Sequence, residues 1–141
     1  MGYYKLLEIW LVNKINISEE IVEYQSALIN IPHGKYNDVV SLVPKQLSGK
    51  RICYITLNKT YDSLIEIFEN ENIDITGIAF IDAITKSINK VENTNNCYFI
   101  SSPQALTELS IAIDAFLTLN FDYIILDSIT TLLIYQNPAF F

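Results

Sequence analysis

Phe121-Asp122-Tyr123-Ile124-Ile125-Leu126-Asp127-Ser128 is the stretch on which the fold turns. Between its two acids run four apolar residues with no polar alternation, the pattern of a strand covered on both faces, as strands of parallel sheets are. Asp127 falls at the carboxyl end of that strand. In open parallel α/β sheets ligands lie beyond the carboxyl ends of the strands, so the acid faces the place where a ligand would sit. The plainer reading is that a terminal Asp caps the turn that follows.

Outward from this strand the same pattern repeats. Ile52-Cys53-Tyr54-Ile55-Thr56-Leu57 is a nearly continuous apolar run, Ile78-Ala79-Phe80-Ile81 ends at Asp82, Tyr98-Phe99-Ile100 is shorter, and Ala27-Leu28-Ile29-Asn30-Ile31 stops at Pro32. Amphipathic stretches separate them. Thr60 is placed to cap a helix carrying Leu64, Ile65 and Phe68. Ser102 caps and Pro103 opens another, whose apolar stripe is Leu106, Leu109, Ile113, Phe116 and Leu117. Asp38 can cap a helix with Val39, Val40, Leu42 and Val43, which Pro44 either kinks or delays. Residues 128–135 start a further helix or turn. Strands alternating with helices predict an α/β fold with a mostly parallel sheet flanked by helices.

Residues 3–12 place Leu6, Leu7, Trp10 and Leu11 at helical spacing, and Ser18 can cap a short helix through Glu19, Glu20 and Ile21 to Tyr24. The expected organisation is therefore an N-terminal helical segment over residues 1–25 and an α/β domain over residues 26–141, one compact domain overall. Hydrophobic residues make up 50% of the chain and charged ones 18%, which suits a sheet buried on both faces and opposes disorder. The formal charge of −7, with basic residues scattered, argues against a nucleic-acid surface. Lys5 and Glu8 interrupt the apolar N-terminal run and no small-residue cleavage site follows, so neither a signal peptide nor membrane insertion is expected. Cys53 and Cys97 sit singly in apolar runs, as small hydrophobes of a reducing cytoplasm do.

The segments Tyr54-Ile55-Thr56-Leu57-Asn58-Lys59-Thr60, Phe80-Ile81-Asp82-Ala83-Ile84-Thr85-Lys86, Ser101-Ser102-Pro103-Gln104-Ala105-Leu106-Thr107-Glu108-Leu109 and Leu126-Asp127-Ser128-Ile129-Thr130-Thr131-Leu132-Leu133-Ile134-Tyr135 follow one another in an order that resembles archaeal KaiC-like proteins of the RecA superfamily. The resemblance covers residues 27–135. It implies a three-layer RecA-like core, incomplete at its C-terminus, with the last strand as the Walker B strand. Asp127, beside Ser128, would then hold the magnesium of a bound nucleotide. The family's phosphate loop has the form G-x-x-x-x-G-K-[ST], whose backbone N–H groups wrap the phosphates. Here only Pro32-His33-Gly34-Lys35-Tyr36 stands at that strand-to-helix junction: a degenerate Walker A loop, too short, lacking the first Gly, and with Tyr36 in place of Ser or Thr. Asn58 and Lys59 replace the acids that family members carry after the strand ending at Leu57, and neither acts as an ordinary general base at neutral pH.

Loss of both parts points to a pseudo-ATPase, a regulatory or protein-interaction domain with at most weak Mg-ATP binding. Gly34, Lys35, Asp127 and Ser128 are the nucleotide or magnesium candidates, and Gly34-Lys35 also reads as an ordinary turn. Asp127 is a metal ligand only if Mg-nucleotide binds. Two other readings remain: a Mg-dependent ATPase completed by a neighbouring subunit, and a small-ligand sensor whose crevice is lined by Asn58, Asp82, Thr130 and Asp127. His33 lacks companions for a metal or nucleophilic role, and Ser101 and Ser102 suit helix capping better than catalysis. Self-association or a protein partner is expected, through the segment containing Tyr3 and Trp10 or through an unpaired strand edge.

Overall fold

The computed structural model describes residues 5–8 and 16–136. Along the chain come β1 (Lys5–Glu8), α1 (Ile17–Glu23), β2 (Ala27–Asn30), α2 (Tyr36–Val40), α3 (Leu42–Gln46), β3 (Ile52–Thr56), α4 (Tyr61–Asn70), β4 (Ile78–Asp82), a 3-10 turn (Thr85–Ser87), β5 (Cys97–Phe99), α5 (Leu106–Leu117), β6 (Tyr123–Asp127) and α6 (Ile129–Gln136). The core sheet has the order β5-β4-β3-β6 and is parallel throughout. The expected α/β architecture is thus present.

Burial follows from that order. β3 lies between two neighbours and under helices on both faces, and all five of its residues are buried. Ile52 and Tyr54 point to the face where Val40, Leu47, Leu64 and Phe68 pack, beneath α2, α3 and α4. Cys53 and Ile55 point to the other face, against Leu109 and Ala112 of α5, with Leu132 of α6 beside them. Helices on both sides of one sheet make three layers. On the first face the rings of Tyr54, Tyr61, Phe68 and Phe80 stack in tilted and edge-on pairs 5.1–6.3 Å apart, arrangements that favour aromatic pairs beyond their area burial.

The N-terminal expectation is corrected. Residues 5–8 form a strand, not helix, and pair in parallel with β2 from Lys5↔Ala27 to Glu8↔Asn30. Two apolar residues between charged ones, Lys5-Leu6-Leu7-Glu8, are too short a stretch to tell helix from strand by periodicity alone. The partner strand decides it, and α1 supplies the crossover that two parallel strands require. Lys5–Glu8 and Ile17–Glu23 are therefore the strand and helix that lead into β2 in a βαβ unit. α1 starts one residue before Ser18, because Asn16 is its cap and accepts from the Glu19 N–H at 3.2 Å. Tyr3 and Trp10 lie outside the described residues.

Two helix starts also differ. The chain breaks between α2 and α3 at Ser41, which puts Pro44 in the first turn of α3, where its missing N–H costs no intrahelical bond. α5 begins at Leu106 with Ala105 as its cap, not at Ser102 and Pro103. Residues 102–105 form a turn closed by Ala105 N–H on the Ser102 carbonyl. Glu108 reaches back from the first turn to the N–H and hydroxyl of Ser101. Leu106 and Leu117, expected in the buried stripe, are exposed, and Leu109 with Ala112 forms its fully buried part. Among the described residues no helix is long and apolar enough to cross a membrane.

Candidate functional site

The register places Thr56 between two acids, opposite Asp82 on one side and Asp127 on the other. Thr56 is wholly buried and shapes the turn that follows: its Oγ1 accepts from the N–H groups of Asn58 and Lys59 and donates to the Lys59 carbonyl at 2.7 Å. This turn lays Asn58 across the end of β6. Asn58 Nδ2 donates to Asp127 Oδ1 at 2.9 Å and to Ser128 Oγ at 3.2 Å, while Asn58 Oδ1 accepts from the Thr131 hydroxyl. Ser128 in turn accepts from Thr131 N–H at the start of α6.

Asp127, itself buried, is closed in from the other side by two tyrosines. Tyr54 donates its hydroxyl to Asp127 Oδ2 at 2.7 Å, and Tyr36 donates to the same oxygen. Burial, and after it the Asp127 charge, pushes both phenols above their ordinary range, which keeps them protonated donors. The Lys59 ammonium stands 5.5 Å from the centroid of the Tyr36 ring, within cation–π range. The peptide between Asp127 and Ser128 is cis.

Asp82 is not part of this cluster. Its Oδ1 accepts from the N–H groups of Ile84 and Thr85, and its Oδ2 from Tyr61 N–H and the Thr85 hydroxyl. Every lone-pair position of the carboxylate is used to fix the loop after β4 and the first turn of α4. Asp82 and Asp127 lie two strand spacings apart, roughly 10 Å, and share no ligand position. Thr130 is exposed and makes none of the cluster's hydrogen bonds; its neighbour Thr131 does.

Residues 32–35 form a tight turn, with Lys35 N–H on the Pro32 carbonyl at 3.0 Å and Gly34 at φ 82°. A positive φ at the third residue is what a type II turn needs. The Lys35 N–H is thereby spent inside the turn, and its exposed ammonium lies 3.8 Å from Asp38. Gly34 and Lys35 thus lie outside the Asp127 cluster, whereas Tyr36, next in sequence, belongs to it. His33 is exposed. Among the described residues no three His, Cys, Asp or Glu side chains gather as a metal site would require. A cavity of about 110 Å³ is lined by Pro44, Leu47, Ile52 and Gly77, at the amino ends of β3 and β4 and away from the acids.

The donor set does not fit Mg-ATP. A magnesium ion at Asp127 would need oxygen acceptors facing it, and the carboxylate instead meets two hydroxyl hydrogens and an amide. At the 32–35 turn the Lys35 N–H is spent on the Pro32 carbonyl, and the Asp38 and Val39 N–H groups on the Lys35 carbonyl. Tyr36, Tyr54 and Thr131 are the residues that sequence reading missed. Tyr36 carried a signal, standing where Ser or Thr was expected; Thr131 carried a weaker one, three residues after a Ser that ends a strand; Tyr54 looked like any strand residue.

No protein-family model matches the chain, and neither the curated proteins nor the solved structures contain a significant match. Fold and site together define a class: a parallel α/β domain whose acid at the carboxyl end of the sheet is occupied internally.

Proposed function

We propose that this chain is a non-catalytic, RecA/KaiC-like pseudo-ATPase domain that works as a regulatory or protein-interaction module. The observation that carries this reading is the Tyr36 hydroxyl on Asp127. In a working P-loop enzyme a Ser or Thr hydroxyl and this acid would share a magnesium ion; here a longer side chain from the same sequence position spans the gap and bonds the acid directly. The turn at residues 32–35 and the presence of Asn58 and Lys59 in place of acids support the same reading. With Asp127 engaged by Tyr36, Tyr54 and Asn58, and the Lys35 N–H spent inside its turn, the reading assigns the domain's action to its surface.

Calorimetric titration of ATP, with and without magnesium, into nucleotide-free protein tests this. No saturable heat is expected at nucleotide concentrations up to about 1 mM, which bounds binding at about −4 kcal/mol or weaker. Saturable, magnesium-dependent binding that disappears in Asp127→Asn would overturn the reading.

A further inference from the structure

The hand of the chain crossings says where the N-terminal strand pair belongs. α2, α3 and α4 lie on the sheet face that holds Tyr54, and α5 and α6 on the opposite face. β3–α4–β4 steps toward β5 over the first face, and β5–α5–β6 steps back over the second, so the two crossovers share one hand. Crossovers between parallel strands are almost always right-handed. β2 reaches β3 through α2 and α3 on the first face, so the same hand requires it to arrive from the β6 side of the sheet. α1 lies against α3, with Ile17 buried and its N–H donating to Gln46 Oε1 at 2.7 Å. β1 therefore precedes β2 in the same direction, and β2 is the inner of the two.

The tether agrees with that placement. Five residues separate Asn30, the end of β2, from Tyr36, and four of them form the tight turn. Tyr36 then bonds Asp127, the last residue of β6, so both strands run toward one carboxyl edge and end near each other. Tyr123 N–H reaches the Arg51 carbonyl and the Asp127 carbonyl accepts from Leu57 N–H, so residues 123, 125 and 127 face β3, and Ile124 and Leu126 direct their N–H and C=O groups to the side where β2 arrives. In this structure the two sheets are separate among the described residues. Neither joining strand is covered: no residue of β2 is buried, and Ile124 is 47% exposed. The outermost strands, by contrast, are guarded. On β5 the preceding loop satisfies the outward groups, with Thr94 N–H on the Cys97 carbonyl, Cys97 N–H on Thr94 Oγ1 and Phe99 N–H on Asn93 Oδ1. β1 begins at Lys5 and ends at Glu8, and charges of this kind keep an edge strand from pairing further.

We propose that the β1–β2 pair is a strap that closes on β6 of its own chain, with β2 parallel to β6, giving one sheet of order β5-β4-β3-β6-β2-β1. The Tyr36–Asp127 bond is the hinge pin of this joint, because it holds the carboxyl ends of the two strands together whether the strap is open or closed. Closing gives Ile124 and Leu126 a backbone partner, sets a strand beside the exposed Ile124, and leaves only the guarded strands β1 and β5 at the margins. Opening, the arrangement in this structure, presents a bare strand edge. The joint therefore decides when that edge is available to another strand. It goes beyond the pseudo-ATPase reading and does not depend on it.

Backbone NMR of the full chain tests the joint, read as amide hydrogen exchange and as NOEs between strands over a dilution series. The amides of Ile124 and Leu126 are expected to exchange at least about tenfold more slowly than free amides do, independently of concentration, and to show NOEs to residues 27–30. Tyr36→Phe, which removes the pin but keeps the ring, is expected to speed exchange at 124, 126 and 27–30 together, by about tenfold or more, while the Ile125 amide, which faces β3, changes only with global stability. Ile124→Pro deletes one outward N–H and no bond to β3, and is expected to speed the 27–30 amides while those of β3 hold. Free exchange at 124 and 126 in the unmodified chain overturns the proposal, and this measurement needs no variant. Protection that disappears on dilution also overturns it and assigns the edge to a second copy. Protection with NOEs to residues other than 27–30 overturns it in favour of a different segment of the chain.

Discussion

Asp82 and Asp127 end strands on either side of β3, and their hydrogen-bond donors differ in kind. Three of the four donors to Asp82 are backbone N–H groups, which cannot reverse. In Asp82→Asn, an amide NH₂ would face at least one of them, and a loss of about 1–3 kcal/mol is expected. At Asp127 the two donors to Oδ2 are hydroxyls, which can turn and accept from an amide, while Asn58 continues to donate to the remaining oxygen. Asp127→Asn is therefore expected to cost less than about 1 kcal/mol, whereas Asp127→Ala, which strands two phenols and an amide, costs about 2–3 kcal/mol. Urea unfolding of the three variants checks the order, and equal losses for the two Asn variants would contradict it. Alkaline pH acts on the Tyr36 and Tyr54 phenols, which folding holds protonated, and on two buried thiols: burial pushes the Cys53 thiol from 9.0 up to about 12 and raises Cys97 too. Folding holds these thiols protonated, so their contribution is complete below pH 9 and is lost as pH rises through about 12. The urea midpoint should fall across that window, and Cys53→Ala should fall less steeply; a midpoint unchanged to pH 11 would count against buried thiols. At this scale the sequence exposed Asp127 and Asn58, because an acid at a strand end and a polar residue just after another are visible in one dimension. It hid Tyr54, since only the three-dimensional register brings that hydroxyl to an acid 73 residues away.

Among the elements, β3, β4, α4 and β6 were legible because each carries its own signal: an apolar run for each strand, although β3 is buried throughout and β6, expected to be covered on both faces, leaves Ile124 exposed, and Thr60 as a side-chain cap, which accepts from Ser63 N–H. β1 was not legible because its conformation depends on β2, whose residues pair with it from Lys5↔Ala27 to Glu8↔Asn30. The start of α5 was misread because Ser-Pro suggests a cap and first turn, while Glu108 binding Ser101 moves the start to Leu106. One close approach between elements leaves no sequence signature at all. A Cβ on Gly77 would stand 2.7 Å from the Lys50 carbonyl oxygen, while the Gly77 carbonyl accepts from Ile52 N–H at 2.9 Å. The chains entering β3 and β4 are thus pressed together where both strands begin. Gly77→Ala must push them apart, and about 1–3 kcal/mol of destabilisation is expected from overpacking. Gly34→Ala is different, because nothing lies within 4 Å of its Cβ position and only the positive φ resists it. Its expected cost is about 1–2 kcal/mol, with no change in the exchange of the β3 and β4 amides, whereas Gly77→Ala should speed exchange at Ile52 and Ile78.

Taken as a whole, the molecule joins two parallel sheets of unequal strength. The four-stranded sheet is covered on both faces by packed side chains, whereas among the described residues β1 and β2 pair only with each other, and a two-stranded sheet is marginal alone. The short segment from β2 to α2 ties them, and its end is fixed by the Tyr36 hydroxyl on Asp127 across 91 residues of sequence, with Lys59 on the ring. If the Tyr36 bond anchors that segment, Tyr36→Phe should act regionally. The ring and its packing remain, one buried hydrogen bond to a carboxylate is lost, and the cost is about 1.5–3 kcal/mol. Native-state hydrogen exchange resolves where that cost falls. Amides of residues 27–40 are expected to exchange about tenfold faster or more, through openings smaller than global unfolding. Protection in β3 and β4 should fall only by as much as global stability does. Uniform loss across both sheets would mean that the molecule opens as one unit and that the Tyr36–Asp127 bond is one core contact among many. A regional loss would make residues 27–40 a movable arm held at Asp127, so that this buried acid serves to hold the N-terminal unit against the sheet.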